Sequence, residues 1–402
     1  MCLALWLGGC AGEGSLDDPR AFRILGGSEL KDLRETGLLD YIQKKSGIKI
    51  YLEENGSLAA VEKISGGQHP YDALWIPNGF YPEAFRSEIK NPPLVMEKIF
   101  MSPVTVGVRR DLAERFGWLG PEGLAREDLS WNDIREKAVR GELQLYMTHM
   151  HTSNSGALAS LALAHSLLGK ADPLTLEDWD NPQLVKGMEE FFAQGIKKTA
   201  GSSGWLADVF WEEKGEAIVN YENVLAELNL KGAGLVLIYP REGVFVAGYP
   251  FYLLKEEKRA DYEKILAVLK SPEFQKKAME LTQRRLLHGN IPLNLKGGID
   301  AQRVIYTLSL PQGGKGVETG HRRVSGTGKK AFPCDFCGGH KRLHGGGENR
   351  GSAPEPVKPA GGRPQLYRAA GPIHPQGYGD LYPLQPPGLP SQDLRGEPPR
   401  RH

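Results

Sequence analysis

The stretch that decides the fold is AFRILGGSEL, residues 21–30, in which a short apolar run ends in two glycines and a serine. A helical pattern follows, and Ile48–Leu52 then alternates as a strand. A second helical pattern, Gly56–Gly66, leads to a third apolar run at Tyr71–Ile76. The order β-α-β-α-β, with a short turn after each strand, predicts a parallel sheet with crossover helices.

The same alternation starts again at about residue 103. Pro103–Val108 has the pattern of an apolar strand, and Ala157–Leu168 that of a helix that is apolar on nearly every side and is therefore buried. Further strands are predicted at Leu235–Tyr239 and Val244–Ala247. We therefore expect an α/β fold of two lobes with parallel sheets, between which the chain crosses near residues 100 and 240.

These patterns divide the chain into four segments: a leader and tether at 1–20, a first lobe at 21–100 plus 241–310, a second lobe at 101–240, and a low-complexity tail at 311–402. The tail holds 19 of the 50 Gly and 14 of the 28 Pro. Such a segment cannot bury enough apolar surface to offset its ordering entropy, so we predict a disordered C-terminal tail. Its Arg, Gly, Pro and His bias also resembles GC-rich DNA translated in the wrong frame.

Charge is distributed unevenly along the chain. Residues 311–402 carry 14 Lys and Arg against 7 Asp and Glu, a net charge of +7. Because the whole chain carries +1, the first 310 residues carry −6. An acidic body argues against a nucleic-acid partner, since phosphates require a basic surface.

Common catalytic motifs are missing from the sequence, among them G-x-S-x-G, H-E-x-x-H and the P-loop pattern. His149 and His151 lie near Ser153 and Ser155, which raises the alternative of a Ser–His nucleophile. That turn contains no Asp or Glu to orient an imidazole ring. We therefore predict a protein that is not an enzyme and that uses no cofactor.

A second chemical pattern lies in the tail, where Cys334, Cys337, His340 and His344 resemble a zinc quartet. Only two residues separate the Cys pair from the His pair. Zinc fingers place about a dozen residues or more between their pairs, because the fold is built there. No metal site is predicted.

The N-terminus reads MCLALWLGG followed by Cys10. Leu7-Gly8-Gly9-Cys10 resembles a bacterial lipobox, in which the cysteine is lipidated and becomes the new N-terminus. No Lys or Arg precedes the short apolar run, which a start codon placed too late would explain. The prediction is a lipid-anchored, extracytoplasmic protein with Cys10 as the lipidation site, and the alternative is a buried or frayed N-terminal stretch.

Small polar residues follow the predicted strands, where ligands bind in open α/β sheets. Thr152–Gly156 places three hydroxyls and an amide at the start of a buried helix, where free N–H groups attract anions. Gly26-Gly27-Ser28 holds the equivalent place in the first lobe. The alternative is that these residues only cap helices. The predicted ligand-binding residues are Ser28, Asn78, Thr152, Ser153, Asn154, Ser155 and Tyr221.

Several short stretches occur in the order of a known family. They are ILGGSEL at 24–30, DALWIPN at 72–78, SPVTVGV at 102–108, TSNSG at 152–156, and YPREG at 239–243 with Tyr249-Pro250. In these the chain resembles the bacterial extracellular solute-binding proteins of the type II periplasmic-binding fold. It is most similar to the group also found fused to a von Willebrand factor A domain.

This resemblance implies a two-lobed clamp of the Venus-flytrap type, with a cleft between the lobes. It implies that Ser28, Asn78 and residues 152–155 fall where molybdate- and sulfate-type members place ligand-binding groups. It also implies a lipid-anchored location, in agreement with Cys10. The tail from Pro311 onward resembles neither an A domain nor a solute-binding protein.

The identity of the ligand stays open at this point. Neutral donors suit an oxyanion, whereas sugars, peptides and a cation are alternatives. The expected partners are a small-molecule ligand and an ABC-type permease for transport or sensing. The alternative function is a cell-surface adhesion or assembly module that acts through a von Willebrand A-domain protein.

Overall fold

The structure is a computed structural model, and it describes residues 14–84, 86, 89–287 and 292–310. The predicted lipidation site Cys10, the Cys and His residues of the tail, and the tail itself lie outside the described residues. Within the described residues, no helix combines the length and the apolar character that crossing a membrane requires.

The strands are β1 (Phe22–Gly27), β2 (Ile50–Asn55), β3 (Ala73–Trp75), β4 (Val95–Lys98), β5 (Ser102–Arg109), β6 (Leu145–Tyr146), β7 (Ile196–Lys198), β8 (Ala217–Tyr221), β9 (Leu235–Ile238), β10 (Val246–Ala247) and β11 (Pro250–Leu253). The α-helices are α1 (Lys31–Glu35), α2 (Leu38–Ser46), α3 (Ser57–Ser65), α4 (Phe80–Ala84), α5 (Arg110–Arg115), α6 (Trp131–Val139), α7 (Asn154–Leu168), α8 (Pro182–Glu190), α9 (Ser203–Glu213), α10 (Glu222–Leu230), α11 (Arg259–Leu269) and α12 (Pro272–Thr282). Short 3-10 helices lie at Ser28–Leu30, Pro121–Gly123, Glu177–Asp180 and Glu256–Lys258, and a π-helix at Phe191–Gly195.

The first sheet has the order β2-β1-β3-β11-β4. β1 pairs in parallel with β2 and with β3, as the β-α-β-α-β pattern predicted. β11 lies antiparallel to β3 and to β4. This pairing arises because β11 returns from the second lobe instead of following a crossover helix, so nothing requires it to be parallel.

The second sheet has the order β10-β5-β8-β6-β7, and β9 also pairs with β5. β5 runs antiparallel to β8, β9 and β10, whereas β6 is parallel to β7 and β8. Both sheets are therefore mixed, and the expectation of purely parallel lobes needs this correction. The physical reason lies in how the strands are connected. The helix α10 joins β8 to β9 as a crossover unit, so these two strands run in the same direction. Between them lies β5, which enters from the first lobe and runs antiparallel to both.

Among the described residues, three stretches of chain connect the sheets: 99–101, 248–249 and 283–287. The return to the first sheet comes later than residue 241, because Val246 and Ala247 still pair with β5. An isolated bridge between Met101 and Arg285 joins the first and third connections. These connections are where a hinge between the lobes would lie.

The last described residues contact the second lobe as well as the first, to which the sequence assigned all of 241–310, and Leu310 packs against the first-lobe cluster that includes Leu25 and Leu74. Val244 bridges to Thr307, and Asn229 Nδ2 donates to the Gly297 carbonyl over 2.8 Å. By contrast α11 packs on the first lobe, where the rings of Tyr262 and Phe251 stack at 4.8 Å between centroids. Residues 292–310 have no helical or strand periodicity, so their sequence does not indicate which lobe they contact.

Candidate functional site

The carboxyl ends of β1, β2 and β3 lie at one edge of the first sheet because these strands are parallel. Ser28 follows β1, Ser57 opens the helix after β2, and Asn78 follows β3. All three side chains are buried. This edge faces the second lobe, since Ser28 makes its hydrogen bond across the lobe boundary.

Four hydroxyls of the second lobe form one buried group, here called the hydroxyl cluster: Thr148, Ser153, Ser155 and Ser203. Ser155 Oγ lies 2.8 Å from Thr148 Oγ1 and 2.8 Å from Ser203 Oγ. Ser153 Oγ lies 3.3 Å from the hydroxyls of both Ser155 and Ser203. Because α7 begins at Asn154 and α9 at Ser203, two helix N-termini meet at this cluster.

Helix capping does not account for the serines at these two helix starts. Ser153 is the N-cap residue of α7 and Ser202 that of α9, yet neither side chain makes a capping hydrogen bond. Ser202 Oγ is buried and has no hydrogen-bond partner within the described residues. By comparison, Ser130 caps α6 in a capping box with Asp133. The plain-cap alternative therefore fits Ser130 but not Ser153.

The two lobes touch directly at the hydroxyl cluster. The backbone N–H of Gly204, in the first turn of α9, donates to Ser28 Oγ over 3.0 Å. A Cβ at residue 204 would lie 2.7 Å from the Ser28 carbonyl oxygen, and one at Gly56 would lie 2.7 Å from the Thr152 carbonyl oxygen. The missing side chains of these glycines allow the two backbones to approach, so the structure shows the lobes closed on each other.

Tyr221 and Asn154 extend the polar group beyond the hydroxyls. Asn154 Nδ2 donates to the Tyr221 hydroxyl over 3.0 Å, and Ser203 interacts with the same hydroxyl. Burial raises the pKa of Tyr221 well above its ordinary value, so the phenol stays neutral. Asn154 Oδ1 is buried with no hydrogen-bond partner among the described residues.

Thr152 and Asn78 are placed differently from the other predicted residues. The Thr152 hydroxyl donates to the Gly201 carbonyl over 2.9 Å. Asn78 Oδ1 accepts from the Phe80 N–H over 2.7 Å at the start of α4. The Asn78 bond is local and the Thr152 bond joins residues 49 apart, and direct contact with a ligand stays a prediction for both, as for the other site residues.

Sequence reasoning missed Thr148, Ser202, Ser203 and Gly204. The signal that was available is Ser202-Ser203-Gly204 directly before a helix, which has the same form as Ser153-Asn154-Ser155-Gly156. It was overlooked because β7, the strand before it, has only three residues and no clear pattern. Thr148 gives no local signal, since its role depends on contact with Ser155.

The site offers hydroxyl, amide and N–H groups, with a carboxyl from Glu29 beside it. Within the described residues no group of three or more His, Cys, Asp or Glu side chains is arranged to hold a metal ion. Burial, together with the neighbouring His149, lowers the pKa of His151 to about 4, so that ring is neutral at pH 7. The arrangement is suited to binding a small polar molecule.

Solved structures with the same fold are periplasmic binding proteins. An extracellular solute-binding protein from Bordetella parapertussis is 15% identical, with a TM-score of 0.51 over 78% of this chain and 99% of that chain. The protein AfuA from Actinobacillus pleuropneumoniae, with fructose-6-phosphate bound, is 12% identical, with a TM-score of 0.52 over 77% and 97%. A ferric binding protein from Campylobacter jejuni is 10% identical, with a TM-score of 0.53 over 77% and 99%.

At these identities the likeness shows the fold alone: the two-lobed α/β clamp expected from the sequence. No curated protein matches the chain. The family model described as "Bacterial extracellular solute-binding protein" matches residues 22–280, which is more than half of the 402 residues and includes the hydroxyl cluster and Ser28. The chain belongs to the bacterial extracellular solute-binding protein family.

Proposed function

We propose that this protein captures a small oxyanion between its lobes and presents it for transport or sensing. The observation that carries the proposal is the meeting of Ser28 with the N-terminus of α9 at the hydroxyl cluster. Both lobes contribute polar groups to one buried place. A ligand there would bind both lobes at once and hold the clamp closed.

The chemistry of the groups supports an anion over the other ligand classes. Hydroxyls and the free N–H groups of helix starts donate hydrogen bonds, and the positive ends of two helices favour negative charge. A cation would instead require several carboxylates or carbonyls. Each hydroxyl of the cluster lies within 3.3 Å of at least one other, which suits a compact ligand better than a peptide.

In the structure the hydroxyls of the cluster are hydrogen-bonded to one another. We infer that an anion replaces these mutual hydrogen bonds with charge-assisted ones, which are the stronger kind. Ser202 Oγ, which has no hydrogen-bond partner within the described residues, would then also find one. The hinge would lie in the three connections between the sheets.

The experiment is a calorimetric titration of the full-length protein with sulfate, phosphate and molybdate, and with a sugar and Fe³⁺ as other ligand classes. At least one oxyanion should bind. Ser155→Ala and Ser203→Ala should each raise Kd about tenfold to a hundredfold, because a hydrogen bond to a charged group contributes about 1.5–3 kcal/mol. Ser28→Ala should also raise Kd.

Ser160→Ala is the matched control, because Ser160 is a buried serine of α7 whose hydroxyl donates to the Gly156 carbonyl over 2.7 Å, away from the cluster. It should leave Kd unchanged. If only the sugar or Fe³⁺ binds, the ligand class is wrong. If Ser155→Ala and Ser203→Ala bind like Ser160→Ala, the site is wrong.

The transport role follows from the family, whose members typically work with an ABC permease. The extracellular character of the family supports a location outside the cytoplasm. Lipid anchoring through Cys10 would keep the protein at the membrane surface, beside such a permease. No contact among the described residues favours the alternative of assembly with a von Willebrand A-domain protein.

A further inference from the structure

A carboxyl group lies beside the proposed anion site. Glu29 directly follows Ser28, and its side chain is buried, with 5% of the residue exposed. The carboxyl folds back onto Gly27, where a Cβ would overlap Glu29 Oε1. That oxygen has no hydrogen-bond partner within the described residues. The fold therefore holds an acidic group next to a site whose other groups suit an anion.

The charges around Glu29 do not balance if every group is ionised. Arg284 is fully buried, pairs with Asp32, and donates to the Glu29 carbonyl over 3.2 Å. Asp32 in turn interacts with Glu227 of α10. One guanidinium thus faces three buried carboxyls, and burial penalises each uncompensated charge.

The groups that face Glu29 come from six parts of the fold. They are Asp32 of α1, Glu54 of β2, Tyr221 of β8, Glu227 of α10 through Asp32, Tyr249 before β11, and Arg284 after α12. Loss of hydration is the largest effect and raises the pKa of Glu29 to about 7, which the guanidinium of Arg284 partly opposes. A proton on Glu29 is therefore available near neutral pH.

We propose that the site binds its oxyanion together with one proton, which Glu29 carries. This inference rests on the proposed function, since it concerns the same site. An ionised Glu29 would repel an anion held by Ser28 and the hydroxyl cluster. Protonation removes that charge and leaves a neutral carboxyl, whose O–H can donate a hydrogen bond.

The sign of the pH dependence follows from linkage. The bound anion favours protonated Glu29, so binding raises the pKa of this carboxyl above its value in the free protein. At pH values below about 7 Glu29 is already protonated and affinity is full. Above that pH each anion must bring one proton, so the association constant should fall by up to about tenfold per pH unit.

The experiment measures Kd for sulfate and for inorganic phosphate between about pH 5.5 and about pH 8.5, using the full chain. Sulfate stays a dianion throughout, so its pH dependence comes from the protein alone. In the wild type, Kd for sulfate should rise above about pH 7. Glu29→Gln, which imitates the neutral carboxyl, should bind sulfate with little pH dependence.

Glu54→Gln is the matched control, because Glu54 also faces Glu29 but pairs with Arg34. It should keep the wild-type pH dependence. A second measurement needs no variant: titrations of the wild type above pH 7 in buffers of different ionisation enthalpy should show the uptake of nearly one proton per anion. This measurement tests whether a proton binds with the anion even if Glu29→Gln does not fold.

Three results would overturn the inference. Sulfate binding with the same affinity at every pH and no proton uptake would refute the role of Glu29 and leave the proposed function standing. A pH dependence of the sulfate Kd that persists in folded Glu29→Gln would also refute the role of Glu29 and leave the proposed function standing. If none of sulfate, phosphate and molybdate binds at any pH, both the inference and the proposed oxyanion function are wrong.

Discussion

Replacing Arg285 with Leu should strongly destabilise the protein. Arg285 forms a bidentate ion pair with Glu222, with distances of 2.7 and 2.9 Å between their N and O atoms. The side chains are 4% and 0% exposed. Arg285→Leu leaves a buried carboxylate without its cation, which costs about 3–5 kcal/mol. Total stabilities are about 5–15 kcal/mol, so this loss is a large share.

The assay is urea denaturation followed by tryptophan fluorescence, together with a thermal melt. At about 2–4 °C per kcal/mol for a domain of this size, the melting temperature should fall by roughly 6–20 °C. Arg259→Leu is the control, because Arg259 also forms a bidentate pair, with Glu256, but at the surface. It should leave the free energy of unfolding unchanged within error, since water replaces the lost partner.

The double variant Glu222→Leu with Arg285→Leu separates charge from packing. It should be less destabilised than Arg285→Leu alone, because no unpaired charge is left buried, although the Tyr239 hydroxyl loses its acceptor. If Arg285→Leu destabilises no more than Arg259→Leu, the reasoning about this buried pair is refuted.

Three further predictions concern closure and the ends of the chain. Gly56→Ala should weaken oxyanion binding and open the clamp, because a Cβ at this residue would lie 2.7 Å from the Thr152 carbonyl oxygen. Calorimetry measures the binding and small-angle scattering the opening. Gly66→Ala is the control, since its Cβ would meet nothing within 4 Å, and it should change neither. Deleting 311–402 should leave the melting temperature unchanged within about two degrees, because its composition predicts no packed core, whereas a larger loss would show that the tail packs on the body. Cys10→Ala should be lost from the membrane fraction, since stable anchoring depends on acyl chains. Fractionation of this variant with membranes, as in the wild type, would refute lipidation.

Local pattern was sufficient for much of the first lobe. The β-α-β-α-β order appears in β1, β2 and β3 because each element carries its own periodicity and a turn residue. The same holds for α7, which is apolar on nearly every side and is buried along its length except at Ser166 and Leu168. The sequence also indicated that Ser28 and Ser153–Ser155 follow predicted strands and precede helices, because the order of the elements is visible in the pattern.

Local pattern did not reveal β4 and β11, nor the antiparallel pairing of β5. These strands are short or pair with partners far along the chain, so their direction depends on how the lobes are joined. Residues 292–310 likewise take their place from contacts far along the chain, with the second lobe at Gly297 and Thr307 and with the first at Leu310.

What the sequence alone determined is therefore the class of fold and the family resemblance, whereas its ligand-binding residues stay a prediction. Only the tertiary structure brought Ser28 to Gly204, 176 residues away, and set Ser203 beside Ser155, 48 residues away. It also placed Arg284 against Asp32 and Glu29 across more than 250 residues. The reason is physical: a hydroxyl or carboxyl that acts through a distant partner leaves no periodicity in the chain, because its chemistry depends on burial and on neighbours that folding supplies.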